Sequence, residues 1–495
     1  MDSNRREFLK TFGFGTAAVS LMPFLHSCSR SKKPPNILFI MADDHTSQAF
    51  GCYGSRLAGY APTENIDRIA REGALLRNCF CTNSICVPSR ASILTGQYSH
   101  INGARTLNGR LHPDSDNVAK YLQTVGYKTA VVGKWHLKDQ PAGFDYYNVL
   151  RDQGRYQNPI LFESDMDWEK GGQTYQGHST DIITDEALQW LDKHKDKSNP
   201  FCLMVHYKAV HEPFFSHDRY RSLFKDQNLP EPEDLFWPES PKGKVFDGWP
   251  LEILGERFQN NNERYPPPIL ESNSTDTEDF RRDTYQKFIK DYLRAVAGID
   301  YNVGRMLNYL DETGQKEDTV IIYTSDQGYF LGEHNLFDKR FMLEESLRMP
   351  FVIRYPREIK PDTEVNDIIL NIDFAELFLD YAGVDIPENM QGHSFRQNLR
   401  SNTQKNWRDS MYYRYWTNNP ARPAHYGIRT HKYKLIYYYG LVEFGRKPEE
   451  CWELYDLQKD PNEHSNVYYL DENKEIITML KDRLEHLRIE YKDVN

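Results

Sequence analysis

Cys86-Val87-Pro88-Ser89-Arg90, followed by Leu94-Thr95-Gly96-Gln97, is where this sequence speaks most directly of chemistry. Pro88 suits the first turn of a helix, where its missing N–H costs nothing. Cys86 would then stand at a helix N-terminus, where the dipole and the free N–H groups favour an anion. An isolated cysteine is ordinarily a buried, inert thiol. A proline and an arginine at this spacing argue for a reactive position instead. A second feature is the adjacent pair Asp43 and Asp44, which ends the apolar run Ile37-Leu38-Phe39-Ile40-Met41. Two carboxylates at the end of a buried strand repel strongly unless a cation lies between them.

The elements that must position these residues share one design. Besides Ile37 to Met41, Thr129-Ala130-Val131-Val132 runs into Lys134 and His136, Phe201-Cys202-Leu203-Met204-Val205 into Lys208 and His211, and Val320-Ile321-Ile322-Tyr323 into Asp326 and Gln327. Continuous apolar runs of this length fit strands buried on both faces, as in parallel sheets. Helical patterns lie between them. Val118, Leu122 and Val125 mark one, with Gly126 as its stop. Tyr292, Val296, Ile299, Val303, Met306 and Leu310 mark a longer one that ends near Gly314 and reads as core packing. The alternation predicts an α/β domain with a large mixed, mainly parallel sheet between helices. Ligands of such sheets sit beyond the carboxyl ends of the strands, which is where the polar residues are delivered.

The rest of the chain divides around that domain. Residues 36–380 read as the main domain and 381–495 as a smaller one. Within the first, the stretch 213–280 is rich in Pro, Asn, Asp and Glu. It is too long for an ordinary connection and reads as an excursion that walls the site, with Trp237 and Trp249 favouring partial packing. After about Asp380, Met411 to Trp416, His425 to Thr430 and Tyr433 to Tyr439 look like aromatic strands, and Glu472 to Tyr491 like a helix. This predicts a small antiparallel sheet with one helix. The net charge of −11 argues against a nucleic-acid binder, and any anionic substrate must be held by a local cation cluster. Seven irregularly spaced cysteines do not make a disulfide scaffold. At the N-terminus, residues 1–28 resemble a twin-arginine export signal (Arg5-Arg6, then a moderately apolar run) that ends in a lipoprotein-like site at Cys28. Residues 29–35 read as a tether. Lipidation of Cys28 and simple cleavage both remain open, and the expected location is the periplasm or a lipid-anchored membrane face.

Taken together, C-x-P-S-R followed by L-T-G, the Asp43-Asp44 pair, Gly133-Lys134-Trp135-His136, Lys208 to Pro213, Ser325-Asp326-Gln327-Gly328 and Glu453-Leu454-Tyr455-Asp456-Leu457 resemble the formylglycine-dependent sulfatases, of alkaline-phosphatase-like fold. The resemblance covers nearly the whole chain after the signal. It implies that a maturation enzyme oxidises Cys86 to formylglycine, whose hydrate is the nucleophile. Twin-arginine export carries folded proteins, which would place that oxidation in the cytoplasm. The resemblance also implies one divalent cation, calcium in this family, on Asp43, Asp44, Asp326 and Gln327, an all-oxygen donor set suited to a hard ion. Arg90 and Lys134 match residues that stabilise the hydrate, and His136 the one that takes a proton as sulfate is expelled. Lys208 and Lys339 match sulfate-binding lysines, and His211 the general acid toward the leaving oxygen.

The substrate implied is a sulfated oligosaccharide. The chain looks most similar to bacterial N-acetylglucosamine-6-O-sulfatases, with Asp338, Arg340 and His425 as candidate sugar contacts. Iduronate 2-sulfatase-like enzymes share the thirteen-residue step from Asp326 to Lys339 and stay open as an alternative. So do a phosphatase or phosphonate hydrolase of the same superfold, and an inactive glycan-binding lipoprotein.

Overall fold

The four apolar runs form neighbouring strands of one ten-stranded sheet. Asn36–Asp43 lies at its centre, parallel to Phe201–Val210 on one side and Thr319–Ser325 on the other. Lys128–Lys134 joins the far side of Phe201–Val210, also parallel. Tyr146–Leu150 extends the sheet in parallel, while Phe351–Arg354 and Ile160–Glu163 add antiparallel flanks. The central strands are buried along nearly their whole length, so they read as unbroken apolar runs rather than alternating ones. This is a computed structural model, and it describes residues 33–195, 198–236, 245–246, 264–268, 278–400 and 403–494. The signal-like segment with Cys28, and Trp237 and Trp249 of the excursion, lie outside the described residues.

Alternate side chains of the central strand feed two cores. Ile37, Phe39 and Met41 pack with residues of the helices Cys86–Thr95, Val118–Thr124 and Phe374–Ala382. Leu38, Ile40 and Ala42 pack with Ser179–His194 and the long helix Glu278–Glu312. The whole stripe from Tyr292 to Leu310 is fully buried, as its helical spacing predicts. Val125 departs from expectation. It caps its helix instead of extending it and is 45 % exposed, because the chain turns there into Gly126 at φ +87°.

The C-terminal region forms a separate four-stranded antiparallel sheet from Ser410–Tyr415, His425–Thr430, Tyr433–Tyr437 and Trp452–Asp456. The helix Lys474–Glu490 packs across the first three of these strands. The fourth strand contains Glu453 to Asp456, which sequence alone marks as a motif and not as a strand.

One glycine sets the geometry of the sheet edge. Gly133 sits inside its strand at φ +98°, and a Cβ there would fall 2.0 Å from the carbonyl oxygen of His206 on the paired strand. The chain continues directly into Lys134 and His136, so this position sets the placement of both. Gly133→Ala is expected to lower unfolding stability by about 2 kcal/mol or more, or to prevent folding. Chemical denaturation with an unchanged midpoint would contradict that reading of the strand.

Candidate active site

The carboxyl ends of the central strands bring together residues that are hundreds of positions apart. Asp43 is the last residue of the central strand, and Asp326 follows the last residue of its neighbour. The chain then leaves the sheet through Asp44, which adopts φ +65°. That turn is pinned on both sides. The Asp44 N–H donates to Asp326 Oδ1 at 3.2 Å, and Tyr292 Oη donates to the Asp44 carbonyl at 2.6 Å. As a result Asp43, Asp44 and Asp326 present carboxylate oxygens within 4.8 Å of one another, all buried.

Burial together with the neighbouring Asp43 pushes Asp326 up to about 8. Burial also carries Asp44 up to about 6, although Lys339 opposes it. Asp43 behaves otherwise: burial would raise it, but Lys134, His211 and Arg90 hold it well below the usual carboxylate range. As a bare triad these groups compete for their charge, and a divalent cation among them would allow all three to ionise together. Gln327 completes the set. Its amide nitrogen donates to Asp44 Oδ1 at 2.5 Å. Its Oε1, like Asp44 Oδ2, is buried with no hydrogen-bond partner among the described residues. Two orphaned oxygens, one of them within the carboxylate triad itself, fit a hard cation.

Cys86 opens the helix Cys86–Thr95, with Pro88 in the first turn and Gly96 closing it at φ +64°. Its thiol lies 3.4 Å from Asp43 Oδ1 and 3.9 Å from Gln327 Nε2. One turn on, Arg90 is entirely buried. Its Nε donates to Asp326 Oδ2 at 2.9 Å and Nη1 to the Lys134 carbonyl at 2.7 Å, while Nη2 stands 3.7 Å from Asp43. Lys134 Nζ pairs with Asp43, and Lys339 Nζ with Asp44 Oδ1. Arg90, Lys134 and Lys339 are thus tied directly to the carboxylates, and the charge of each also acts on the thiol.

One more lysine and two histidines complete the surroundings, with Lys208 and His211 lining the open side. Lys208 is buried with Nζ 5.0 Å from the centre of the Tyr156 ring. Burial and the charge of Lys134 lower it to about 7. His211 Nε2 approaches Asp44 Oδ2 at 3.7 Å, while Nδ1 bonds the Glu212 carbonyl at 2.8 Å. His136 is buried at φ +56°, its Nδ1 without a hydrogen-bond partner among the described residues. Burial, then Lys134, lowers that imidazole to about 2.

The three candidate sugar contacts divide. Asp338 accepts from Arg340 Nε at 3.0 Å and pairs with Arg422 Nη2 at 3.0 Å, next to Lys339 and hence to the site. His425 is instead buried in an aromatic nest. Its ring stacks on Phe341 and Tyr413, 6.0 and 5.6 Å between centroids, and its Nδ1 bonds the Pro423 carbonyl at 2.9 Å. Among the described residues no hydrogen bond or ion pair joins it to the charged cluster.

Sequence reasoning missed Arg422, which lies in no motif, and Gln153, whose Oε1 accepts from Lys134 Nζ at 2.6 Å. A signal for Gln153 existed. Tyr146–Leu150 is a fifth strand that runs into polar residues, Arg151-Asp152-Gln153, at the same sheet edge.

A mainly parallel α/β sheet that gathers a buried carboxylate triad and a helix-start cysteine among lysines fits a metal-assisted hydrolase of the alkaline-phosphatase-like class. The family is equally clear. The sulfatase family model matches residues 35–384, and a second, for the C-terminal part of N-sulphoglucosamine sulphohydrolase, matches residues 332–490. The chain belongs to the sulfatase family. It is 38 % identical to an N-acetylglucosamine-6-O-sulfatase of Bacteroides thetaiotaomicron, over 96 % of this chain and 90 % of that one. An N-acetylglucosamine-6-sulfatase of Capra hircus is 26 % identical over 78 % of this chain and 67 % of its own length. A solved structure of a protein with its substrate D-glucosamine-2-N,6-O-disulfate superposes with a TM-score of 0.82 at 36 % identity, covering 94 % of this chain and 99 % of that one. A phosphonate monoester hydrolase from Silicibacter pomeroyi shares the fold, with a TM-score of 0.70 at 21 % identity, covering 92 % of this chain and 95 % of that one.

If the triad holds a divalent cation, binding must stabilise the folded chain. At a hundredfold excess of free cation over Kd the gain is roughly 2.7 kcal/mol. Thermal unfolding after exhaustive chelation should therefore shift upward on adding the cation, and the shift should vanish in Asp326→Ala. An equal shift in both proteins would refute the assignment.

Proposed function

We propose that this chain hydrolyses the 6-O-sulfate of N-acetylglucosamine in glycosaminoglycan or mucin sugars. The observation that carries the reading is Cys86 at a helix start, 3.4 Å from Asp43 and ringed by Arg90, Lys134 and Lys339. The near-full-length similarity to an enzyme of that activity selects the sugar. In this reading a maturation enzyme converts Cys86 to formylglycine, whose hydrate supplies the attacking hydroxyl and the second hydroxyl that lets sulfate leave. Calcium on Asp43, Asp44, Asp326 and Gln327 would supply positive charge beside the sulfuryl oxygens.

The chain's own residues have distinct tasks. Lys208 and Lys339 bracket the sulfate and offset the charge that grows on its oxygens in the transition state. Arg90 and Lys134 keep the nucleophile's surroundings electropositive, with Arg90 bonding both Asp326 and the Lys134 carbonyl. His211, on the open side, is placed to protonate the departing sugar oxygen. His136 is placed to accept a proton as sulfate leaves, and its unbonded Nδ1 suits that task. Asp338 and Arg340 would grip sugar hydroxyls, with Arg422 fixing Asp338. The burial of His425 favours a supporting role under that pair. The N-terminal segment favours export, to the periplasm or to a lipid anchor at Cys28.

A panel of 6-O-, 2-O- and N-sulfated sugars tests the reading. Sulfate release from 6-sulfated N-acetylglucosamine is expected, and Cys86→Ala is expected to abolish it while leaving thermal unfolding unchanged. Release from a 2-O-sulfated uronate alone, or normal turnover by Cys86→Ala, would overturn it.

A further inference from the structure

A cleft of about 490 Å³ opens beside Lys208 and His211. Its wall is formed by Gln153, Arg155 and Tyr156, facing Glu212, Phe215 and Arg264. The first side is anchored to the reacting centre at two points. Gln153 holds Lys134 Nζ at 2.6 Å, and Tyr156 Oη donates to the His211 carbonyl at 2.6 Å. Arg155 stands between these anchors, so its backbone is fixed relative to the site. Its side chain is exposed, and no hydrogen bond or ion pair engages it among the described residues. Other surface arginines are used internally, as Arg219 is by Asp181 at 2.6 Å. Across the cleft Arg264 is 52 % exposed and reaches Glu212 at 3.6 Å, while that carboxylate also accepts from Tyr265 Oη at 2.9 Å. In a chain of net charge −11 this rim carries more cation than acid. A local positive field of this kind selects anions.

We propose that this cleft is a subsite for a second anionic group of the sulfated sugar, with Arg155 as the residue that sets specificity for it. The proposal rests on the carbohydrate-sulfatase reading above. In that reading His211 protonates the leaving oxygen, so the alcohol side of the ester emerges where His211 lines the cleft. The planar guanidinium forks onto a sulfamate or a carboxylate through paired N–H donors. The partly exposed ring of Phe215 offers apolar surface for a sugar ring. The anion is either an N-sulfate on the same ring or the carboxylate of an adjoining uronic acid, which share this chemistry.

Binding should be measured in the full chain carrying Cys86→Ala, where hydrolysis cannot interfere, by calorimetry with three probes. These are N-acetylglucosamine 6-sulfate, glucosamine-2-N,6-O-disulfate, and a uronyl-N-acetylglucosamine 6-sulfate disaccharide. One or both doubly anionic probes should bind about tenfold more tightly than the first, the factor expected of one charge-assisted contact. Adding Arg155→Ala should erase that preference and leave the singly sulfated probe unaffected, while Arg155→Lys should keep part of it. Loss confined to the disulfate places the anion on the same ring, and loss confined to the disaccharide places it on the next one. No preference, a preference that survives Arg155→Ala, or equal weakening of all three probes would overturn the proposal. Sulfate release by the unsubstituted enzyme tests the underlying reading separately.

Discussion

Three carboxylates are buried at one sheet edge, and their mutual repulsion is the constraint the rest of the site answers. Each is taken out of water, where an ionised group loses several kcal/mol of solvation. The structure meets this cost with cations of fixed geometry: Arg90 toward Asp326 and Asp43, Lys134 toward Asp43, Lys339 toward Asp44. The compensation is incomplete, since Asp326 and Asp44 stay shifted upward by burial. What remains is a demand for positive charge at the centre of the triad. That demand, and the helix-start thiol beside it, give the edge its chemistry.

Holding this arrangement strains the backbone where the sheet ends. Asp44, His136, Asp338 and Arg340 all take positive φ, between +56° and +95°. Non-glycine residues persist there only where surrounding contacts over-determine them. Those contacts are visible: Tyr292 bonds the Asp44 carbonyl, and Tyr413 bonds the Arg340 carbonyl at 2.5 Å. The second contact comes from the small C-terminal sheet, as Arg422 comes from the loop before one of its strands. The C-terminal sheet therefore braces the Asp338 to Arg340 segment beside the site.

Much of this was legible in the sequence because buried parallel strands leave an unambiguous trace. Four apolar runs each ended in polar residues, and all four proved to be adjacent strands ending at the site. Gly126 and Gly314 marked helix ends, and both adopt the positive φ of such an end. What stayed hidden depends on distance in space. Arg422 earns its place only through Asp338, and Gln153 only through Lys134, pairings that no local pattern encodes. His425 shows how little the local pattern says about a side chain's surroundings. A histidine in a polar-looking turn reads as a ligand, yet the surrounding Phe341, Tyr413 and Tyr438 rings absorb it into packing. Only the fold reveals that Arg155, between two anchored neighbours, has no hydrogen-bond or ion-pair partner among the described residues.

In the proposed function Cys86 serves this edge as formylglycine and not as a thiol. Mass spectrometry of the peptide spanning residue 86, taken from natively expressed and active protein, addresses it most directly. The account predicts the mass of formylglycine, trapped as a hydrazone by a carbonyl-specific reagent. A fully active preparation in which that peptide carries only an unmodified, alkylatable cysteine would contradict it.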